Sequence, residues 1–311
     1  MTTTTAIRRA PGFARIRETL PERFAPYAYI APFFILFGVF GLFPMAYTFF
    51  ISLYEWDPLG TKTFVGLHNF STLLTDPRFW NATENTLSIW FLSTVPQLLI
   101  ALGLAHLLHA ARLRFANFFR MSLLVPYITS TAATTIVFLQ LFDFHYGLIT
   151  WFLSLFGANP INWLAGRVTS HIVIAVMIIW RWSGYTTLLY LAGLQSIPRE
   201  LYEAASVDGA GRWRQLTNIT VPSLRPVIIF TIVTSTIGGL QTFTEPLLLD
   251  PGSTMCGAAR QCQTLTLFLY EQGFYDFKFG YGAAIGVALF VMIIVLATIN
   301  FAFSTRLRGA R

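Results

Sequence analysis

The sequence predicts an all-α polytopic membrane protein with six transmembrane helices and both termini in the cytoplasm. Three observations carry this. The 311 residues are 55% hydrophobic and only 11% charged, with a mean hydropathy of +0.59. A soluble domain carries about 25% charged residues, so this chain is too apolar to present a water-facing surface. Six apolar windows are each long enough to cross the hydrocarbon of a bilayer, about 30 Å or roughly 20 helical residues. The basic residues, finally, are shared unequally between alternate connections.

The windows cover residues 29–53, 85–108, 121–142, 171–194, 224–249 and 281–303. Each is a continuous apolar run and not a ten-residue alternation, which makes it a helix and not a barrel strand. They delimit a basic tail over 1–28, a membrane domain over 29–303 and a short tail over 304–311. One set of connections holds Arg8, Arg9, Arg15, Arg17, Arg23, Arg112, Arg114, Arg120, Arg199, Arg212, Arg214, Arg225, Arg306, Arg308 and Arg311. The alternate set holds only Lys62, Arg78, Arg167, Arg260 and Lys278. The arginine-rich side is expected to be cytoplasmic. Six spans require both termini on one side, and the charge rule independently places both there. No run mixes basic and aromatic residues over a soluble face, so nucleic acid is not an expected partner. Lipid is.

The amino-terminal tail "MTTTTAIRRAPGFARIRETLPERF" has an arginine pair but no short apolar segment and small-residue cleavage site after it. It is therefore read as a retained cytoplasmic tail. The outer loop over 64–86 reads as two short interfacial helices, with Trp56 and Trp80 near the membrane surface. "NAT" at Asn81 matches a glycosylation acceptor in form only, being too near the next span. Cys256 and Cys262 share the last external loop. An oxidising compartment permits a disulfide there, with two free thiols as the alternative. No histidine lies nearby to support a metal site.

Between the fourth and fifth windows stands "IPRELYEAASVDGAGRWRQLTNITVP", residues 197–222, on the cytoplasmic side. Ser196 suits a helix cap and Pro198 a first turn. The helix is expected to run to Val207 and stop at Asp208-Gly209, where glycine takes the left-handed conformation of a sharp stop. A second short helix carries Trp213, Leu216 and Ile219 before Pro222 leads back into the membrane. Ala204, Ala205 and Ala210 leave little bulk, so a partner can approach closely. The alternative is a solvated connector.

The run "EAASVDGAGRWRQLTNITVP" resembles the EAA loop of ABC-importer permeases. "LAGLQSIPRELY", "FVGLHNF", "LLVPYI" and "GGLQTFTEP" resemble the carbohydrate-uptake group, in particular the maltose, lactose and cellobiose permeases. The resemblance implies the type I importer (MetI-like) permease fold. It also implies a second permease subunit, two cytoplasmic ATP-binding subunits and an extracytoplasmic sugar-binding protein as partners. Glu203 would contact the ATPase, Gly209 make the turn, and Ala204, Ala205, Asp208 and Ala210 shape the docking surface. The sequence has no GxxxxGK[ST] phosphate loop. No cofactor is expected in this chain, then; ATP and magnesium belong to the partner ATPase, and the chain is a transport subunit and not an enzyme.

Inside the membrane, charged groups are costly and usually functional. Arg181 lies in the fourth window between Trp180 and Trp182, with Tyr185 one turn on. Aromatic faces and directed donors suit sugar, although a structural arginine paired across a helix interface gives the same pattern. Trp180, Trp182 and Tyr185 also match, by the resemblance, places that hold or border sugar. The fifth window is polar around Thr234, Ser235, Gln241 and Glu245, and Gly238-Gly239 weakens its helix; discontinuous helices expose backbone to substrate in transporters. The resemblance adds Thr234, Gly238, Gln241 and Phe243 as sugar contacts. Tyr127 and Ser130 on the third window are weaker candidates. Glu245, nearer the outer end, reads as a salt-bridge or gate residue. The maltose permease it resembles carries extra N-terminal spans and a large external domain, whereas this chain reads as six spans with small loops.

Other readings are an ion-coupled secondary transporter and a membrane enzyme. The first favours buried ionisable groups and an internal repeat; only Arg181 is a clear mid-span charge. The second lacks a catalytic pair, since the histidines are scattered, with only His106 and His109 sharing a helix face. A nearer alternative keeps the machine and changes the cargo: an importer of glycerol 3-phosphate, whose phosphate would suit Arg181.

Overall fold

The computed structural model of the chain describes residues 24–57, 60–110 and 115–306. The basic tail before residue 24, Arg112, Arg114, Arg308 and Arg311 lie outside the described residues. The chain divides into two units, at Phe50 and Ile51.

The first unit is one helical run. Helix α1 (Ala25–Phe37) passes through a π turn at Gly38–Leu42 into α2 (Phe43–Ile51). Pro26–Ile51 is long and apolar enough to cross a membrane, and none of its apolar window is buried. Its surface is therefore one for lipid or another apolar chain to cover. Phe33 and Phe37, one turn apart, stack with ring centroids 6.2 Å apart.

The second unit opens with a small antiparallel hairpin, β1 (Tyr54–Glu55) against β2 (Thr63–Phe64), with Tyr54 opposite Phe64. Helix α3 (His68–Thr75) follows. Its buried Asn69 donates to the carbonyls of Ser52 and Tyr54 at 2.9 Å each, which ties hairpin to helix. Helix α4 spans Pro77–Ala110, 34 residues, or about 50 Å at 1.5 Å per residue. Its start is fixed by chemistry and not by hydropathy. Asp76 accepts the Arg78 N–H at 2.9 Å and Pro77 takes the first helical position. The second interfacial helix expected over 64–86 is thus the polar beginning of α4. Burial works against the Asp76 charge, but hydrogen bonds from Arg78 and Tyr281 outweigh it and hold the carboxyl below its usual range.

The third window is not one helix. It forms α5 (Ala116–Ile128) and α6 (Thr131–Leu141), bent by 93°. Thr129 and Ser130 between them are extended, with ψ of 141° and 131°, and that breaks the hydrogen-bond ladder. Among the described residues, five helical runs are long and apolar enough to span, and this bent pair is a sixth if it counts as one. Asp143 then accepts the N–H groups of His145 and Tyr146 at 2.8 Å each, a local turn that leads to α7 (Leu148–Ser154).

Helix α8 (Arg167–Gln195) matches its window. The next helix, α9 (Arg199–Val207), begins after Pro198 with no side-chain cap. Ser196, expected as that cap, instead donates to the Gly193 carbonyl at 2.7 Å and closes the end of α8. Helix α10 (Arg212–Gln215) is no separate element: it runs through a π turn at Leu216–Thr220 into α11 (Val221–Leu240). Pro222 has no N–H for the preceding turn, and the helix widens just before it. Helix α12 (Thr244–Leu249) is separated from α11 by Gln241–Phe243. Helix α13 (Leu265–Tyr270), a π turn at Glu271–Tyr275 and α14 (Phe279–Arg306) complete the unit.

The core of this unit has three parts. Ile89, Phe138, Phe142, Ile174, Met177 and Leu267 pack near the Cys256–Cys262 loop. Phe79, Leu240, Phe268, Ile285 and Leu289 pack α14 onto α4 and α13. Ala101, Ala105, Tyr190, Leu194, Ile197 and Leu224 bind α4, α8 and α11 at the end that carries α9.

Cys256 and Cys262 are joined by a disulfide, with their Cα atoms 5.2 Å apart. Beside it, Arg260 donates to Glu271 Oε1 at 2.9 Å and to Gln263 Oε1 at 2.9 Å. Asn81 and Asn85 of α4 donate to the Arg260 carbonyl at 2.9 Å each, so the Asn81 amide is engaged in the fold. Arg260→Ala would leave Glu271, whose side chain is 6% exposed, buried without its counter-ion and with the Gln263 amide at 2.7 Å as its remaining donor. The expected loss is about 3–5 kcal/mol, read as a lower Tm of the detergent-purified chain.

Candidate functional site

Two sites emerge, a cavity among the helices and an exposed hairpin at one end of them. The cavity holds about 370 Å³. Helix α8 supplies Ile178, Arg181, Trp182, Tyr185, Thr186 and Leu189; α11 supplies Phe230, Thr231, Thr234, Ser235, Gly238 and Gly239. Steps of three and four residues set each group on one helical face. Thr94 and Gln97 come from α4, Tyr127 from α5, and Thr131 opens α6. The α11–α12 break adds Thr242 and Phe243, and α12 adds Thr244 and Glu245. Thr264 donates to the Thr242 carbonyl at 2.8 Å, which holds that break against the loop after the disulfide.

The aromatic side of the cavity is built from two helices. Tyr127 stacks on Tyr185 at 4.9 Å between centroids, with 16° between planes, and meets Trp182 edge-on at 5.2 Å. Gln97, buried, donates to Thr186 Oγ1 at 2.8 Å. Threonine and serine hydroxyls from α4, α6, α8, α11 and α12 line much of the remainder. Arg181 and Glu245 are the two charged residues of the lining. Neither joins an ion pair within 4 Å among the described residues, and Arg181 Nε is buried without a hydrogen-bond partner. Aromatic faces beside hydroxyls and directed donors can hold a polyhydroxylated ring by stacking and hydrogen bonding.

Of the sugar contacts expected from the sequence, Tyr185, Trp182, Arg181, Thr234, Gly238, Phe243 and Tyr127 come together in this cavity. Gln241 and Ser130 do not. Gln241 sits at the end of α11 with its side chain exposed, and Ser130 lies in the exposed bend before α6. Trp180 is two residues from Trp182, so it points to the other side of α8, where it packs against Phe138 at 5.6 Å. Glu245, expected as a salt-bridge or gate residue nearer the outer end, lines the cavity. Gly238-Gly239 does not break its helix, which persists to Leu240. A Cβ on Gly239 would lie 2.8 Å from Trp90 Cδ1, so this glycine serves the approach of α4. Gln97, Thr94, Thr131, Thr242 and Thr244 went unread in the sequence. For Gln97 a signal existed: a glutamine inside an apolar window.

The second site is the hairpin of α9 and α10. Glu203, Ala204, Asp208 and Gly209 are exposed, and Ala205 and Ala210 partly so. Gly209 has φ +75°, the left-handed turn expected of it. The Ala210 N–H reaches the Ala205 carbonyl at 2.8 Å, and Gln215 Nε2 donates to Ser206 Oγ at 2.9 Å and to the Ala210 carbonyl at 3.1 Å. Tyr202 and Thr220 hydroxyls bond at 3.0 Å across its base. Val207 and Trp213 are 89% and 76% exposed, large apolar groups on a projecting hairpin.

The profile of the family described as "Binding-protein-dependent transport system inner membrane component" matches residues 86–309. The arabinooligosaccharides transport system permease protein AraP of Bacillus subtilis (strain 168) is 36% identical over 93% of this chain and 91% of that protein. The lactose transport system permease protein LacF of Rhizobium radiobacter is 36% identical over 88% of this chain and 91% of its own. A crystal structure of a bacterial alginate ABC transporter, in complex with an alginate pentasaccharide-bound periplasmic protein, contains a chain of the same fold. Its TM-score is 0.79 at 22% identity, over 94% of this chain and 98% of that one. The chain belongs to the binding-protein-dependent transport system inner membrane components, and it is a membrane-spanning ABC-transporter permease.

Proposed function

We propose that this permease forms half of the translocation pore of an ATP-driven, binding-protein-dependent importer for a di- or oligosaccharide in a bacterial plasma membrane. The observation that carries the reading is the cavity, where stacked Tyr127 and Tyr185, Trp182 and a hydroxyl-rich wall meet between the helices. Sugar permeases among its relatives support the cargo class. The arginine count supports an orientation with both termini and the α9–α10 hairpin in the cytoplasm.

In this mechanism a second permease completes the pore and two cytoplasmic ATP-binding subunits supply the energy. An extracytoplasmic protein delivers sugar. Glu203, Ala204, Ala205, Asp208, Gly209 and Ala210 seat the hairpin on one ATPase. Movement of that prong passes through its base into α8 and α11, which form two walls of the cavity. Sugar enters with the cavity open outward and leaves when it opens inward.

The test is to purify the tagged chain in mild detergent and identify by mass spectrometry what accompanies it. An ATPase with a phosphate loop, a second permease and a sugar-binding protein are expected. A solitary chain that transports in liposomes without ATP would overturn the reading and favour a secondary transporter.

A further inference from the structure

The geometry points to a selectivity device within this cavity: Arg181 and Glu245 form a charge-balanced pair that admits uncharged sugars and excludes anionic ones, a diol of the cargo bridging guanidinium and carboxylate. The inference rests on the sugar-importer reading and goes beyond it, because it names the cargo's charge and the residues that select it.

The two groups come from different walls, Arg181 from α8 and Glu245 from the first turn of α12. They are the cavity's two charged residues, so its formal charge sums to zero. Both face the same cavity, yet among the described residues no direct ion pair forms between them. A structural arginine would have its donors satisfied; here Nε is buried and unpartnered. A buried unpaired donor is costly, and Arg181 Nε is such a donor beside the cavity, with the Glu245 carboxyl on another wall. A sugar hydroxyl fits both at once, accepting from the guanidinium while donating to the carboxylate. Neighbouring Thr234 and Thr244 extend the same donor-acceptor lining. A uronate or phosphate satisfies Arg181 but brings a second negative charge beside Glu245, in a site where water screens poorly.

The experiment titrates the purified complete importer complex, without added binding protein, with maltotriose, lactose and arabinotriose as neutral probes and trigalacturonate as the anionic one. Wild type is expected to bind at least one neutral sugar about tenfold or more tighter than trigalacturonate, a discrimination of about 1.4 kcal/mol per factor of ten. E245Q is expected to shift that ratio by at least about tenfold toward trigalacturonate. The R181Q/E245Q pair, again uncharged, is expected to keep the neutral preference, and it tests the same balance if E245Q does not fold. The inference is overturned if trigalacturonate binds wild type as well as the neutral sugars, or if none of the three neutral sugars binds. A ratio unmoved by E245Q, or a double variant that prefers the acid, overturns it as well. A complex that contains its ATPase yet fails these titrations refutes the selectivity device and leaves the importer reading standing.

Discussion

Gly209→Pro is expected to abolish sugar-stimulated ATP hydrolysis by the assembled importer while the isolated binding protein still takes up sugar. Gly209 has φ +75°, and proline is locked near −65°. Its N–H, lost in proline, reaches the Ser206 carbonyl at 3.1 Å. The turn between α9 and α10 therefore reforms elsewhere and carries Asp208 and Ala210 with it. The hairpin contributes few buried groups, so the membrane helices and their cavity are expected to stay folded. Gly209→Ala makes a graded companion. Its Cβ would meet nothing within 4 Å, leaving only the left-handed strain of about 1–2 kcal/mol, and partial stimulation is expected. Glu203→Lys reverses an exposed charge on the same prong without touching the turn, and is expected to block coupling too. The measurement is ATPase rate in proteoliposomes with and without sugar-loaded binding protein. Normal stimulation in both Gly209→Pro and Glu203→Lys would remove the docking role from this hairpin.

What was legible in the sequence was what local chemistry decides. The hairpin could be read because glycine at a left-handed turn and small alanines around it leave a local signature. Arg181, Trp182 and Tyr185 could be read because a charge in an apolar window stands out and helical spacing puts them together. The bend at Thr129–Ser130 interrupts the apolar window only briefly, with Thr129, Ser130 and Thr131 in a row, so the window still reads as one span; beyond the 93° bend α6 packs against α12 and α8. The start of α4 was hidden for the opposite reason. Its first turns are polar, and the Asp76-Pro77 cap lay outside the apolar window. Glu245 stands out in the sequence as a charge near the end of its window, but its place in the cavity wall does not. The helix stops at Leu240, and after Gln241–Phe243 the first turn of α12 stands at the cavity wall. Gln97 and the threonines of α4, α6 and α12 belong to the site only through tertiary packing, which no spacing along one helix reveals.

That packing has one point where a single methyl group should undo it. A Cβ on Gly184 would lie 1.8 Å from the Leu123 carbonyl oxygen and 2.7 Å from its carbon. Both are backbone atoms of α5, so no side-chain rotation relieves the contact, and α5 and α8 must part. Overpacking of this kind costs about 1–3 kcal/mol and occasionally more, and the clash with backbone places Gly184→Ala at the upper end. The consequence reaches the cavity at once. Tyr127 stands one turn after Leu123 on α5, and its partner Tyr185 directly follows Gly184 on α8. When the helices separate, the 4.9 Å stack and the edge contact with Trp182 are lost together. Gly184→Ala is therefore expected to lower the Tm and to weaken sugar binding at least about tenfold, the loss of one or two aromatic contacts. Gly103→Ala on α4 is the control: its Cβ would meet nothing within 4 Å, and alanine favours a helix interior over glycine by about 1 kcal/mol. It is expected to keep or raise the Tm and to leave binding unchanged. If Gly184→Ala behaved like Gly103→Ala, the close crossing of α5 and α8 would not be what holds Tyr127 in place. The aromatic wall would then have to be set by α5 and the bend that follows it.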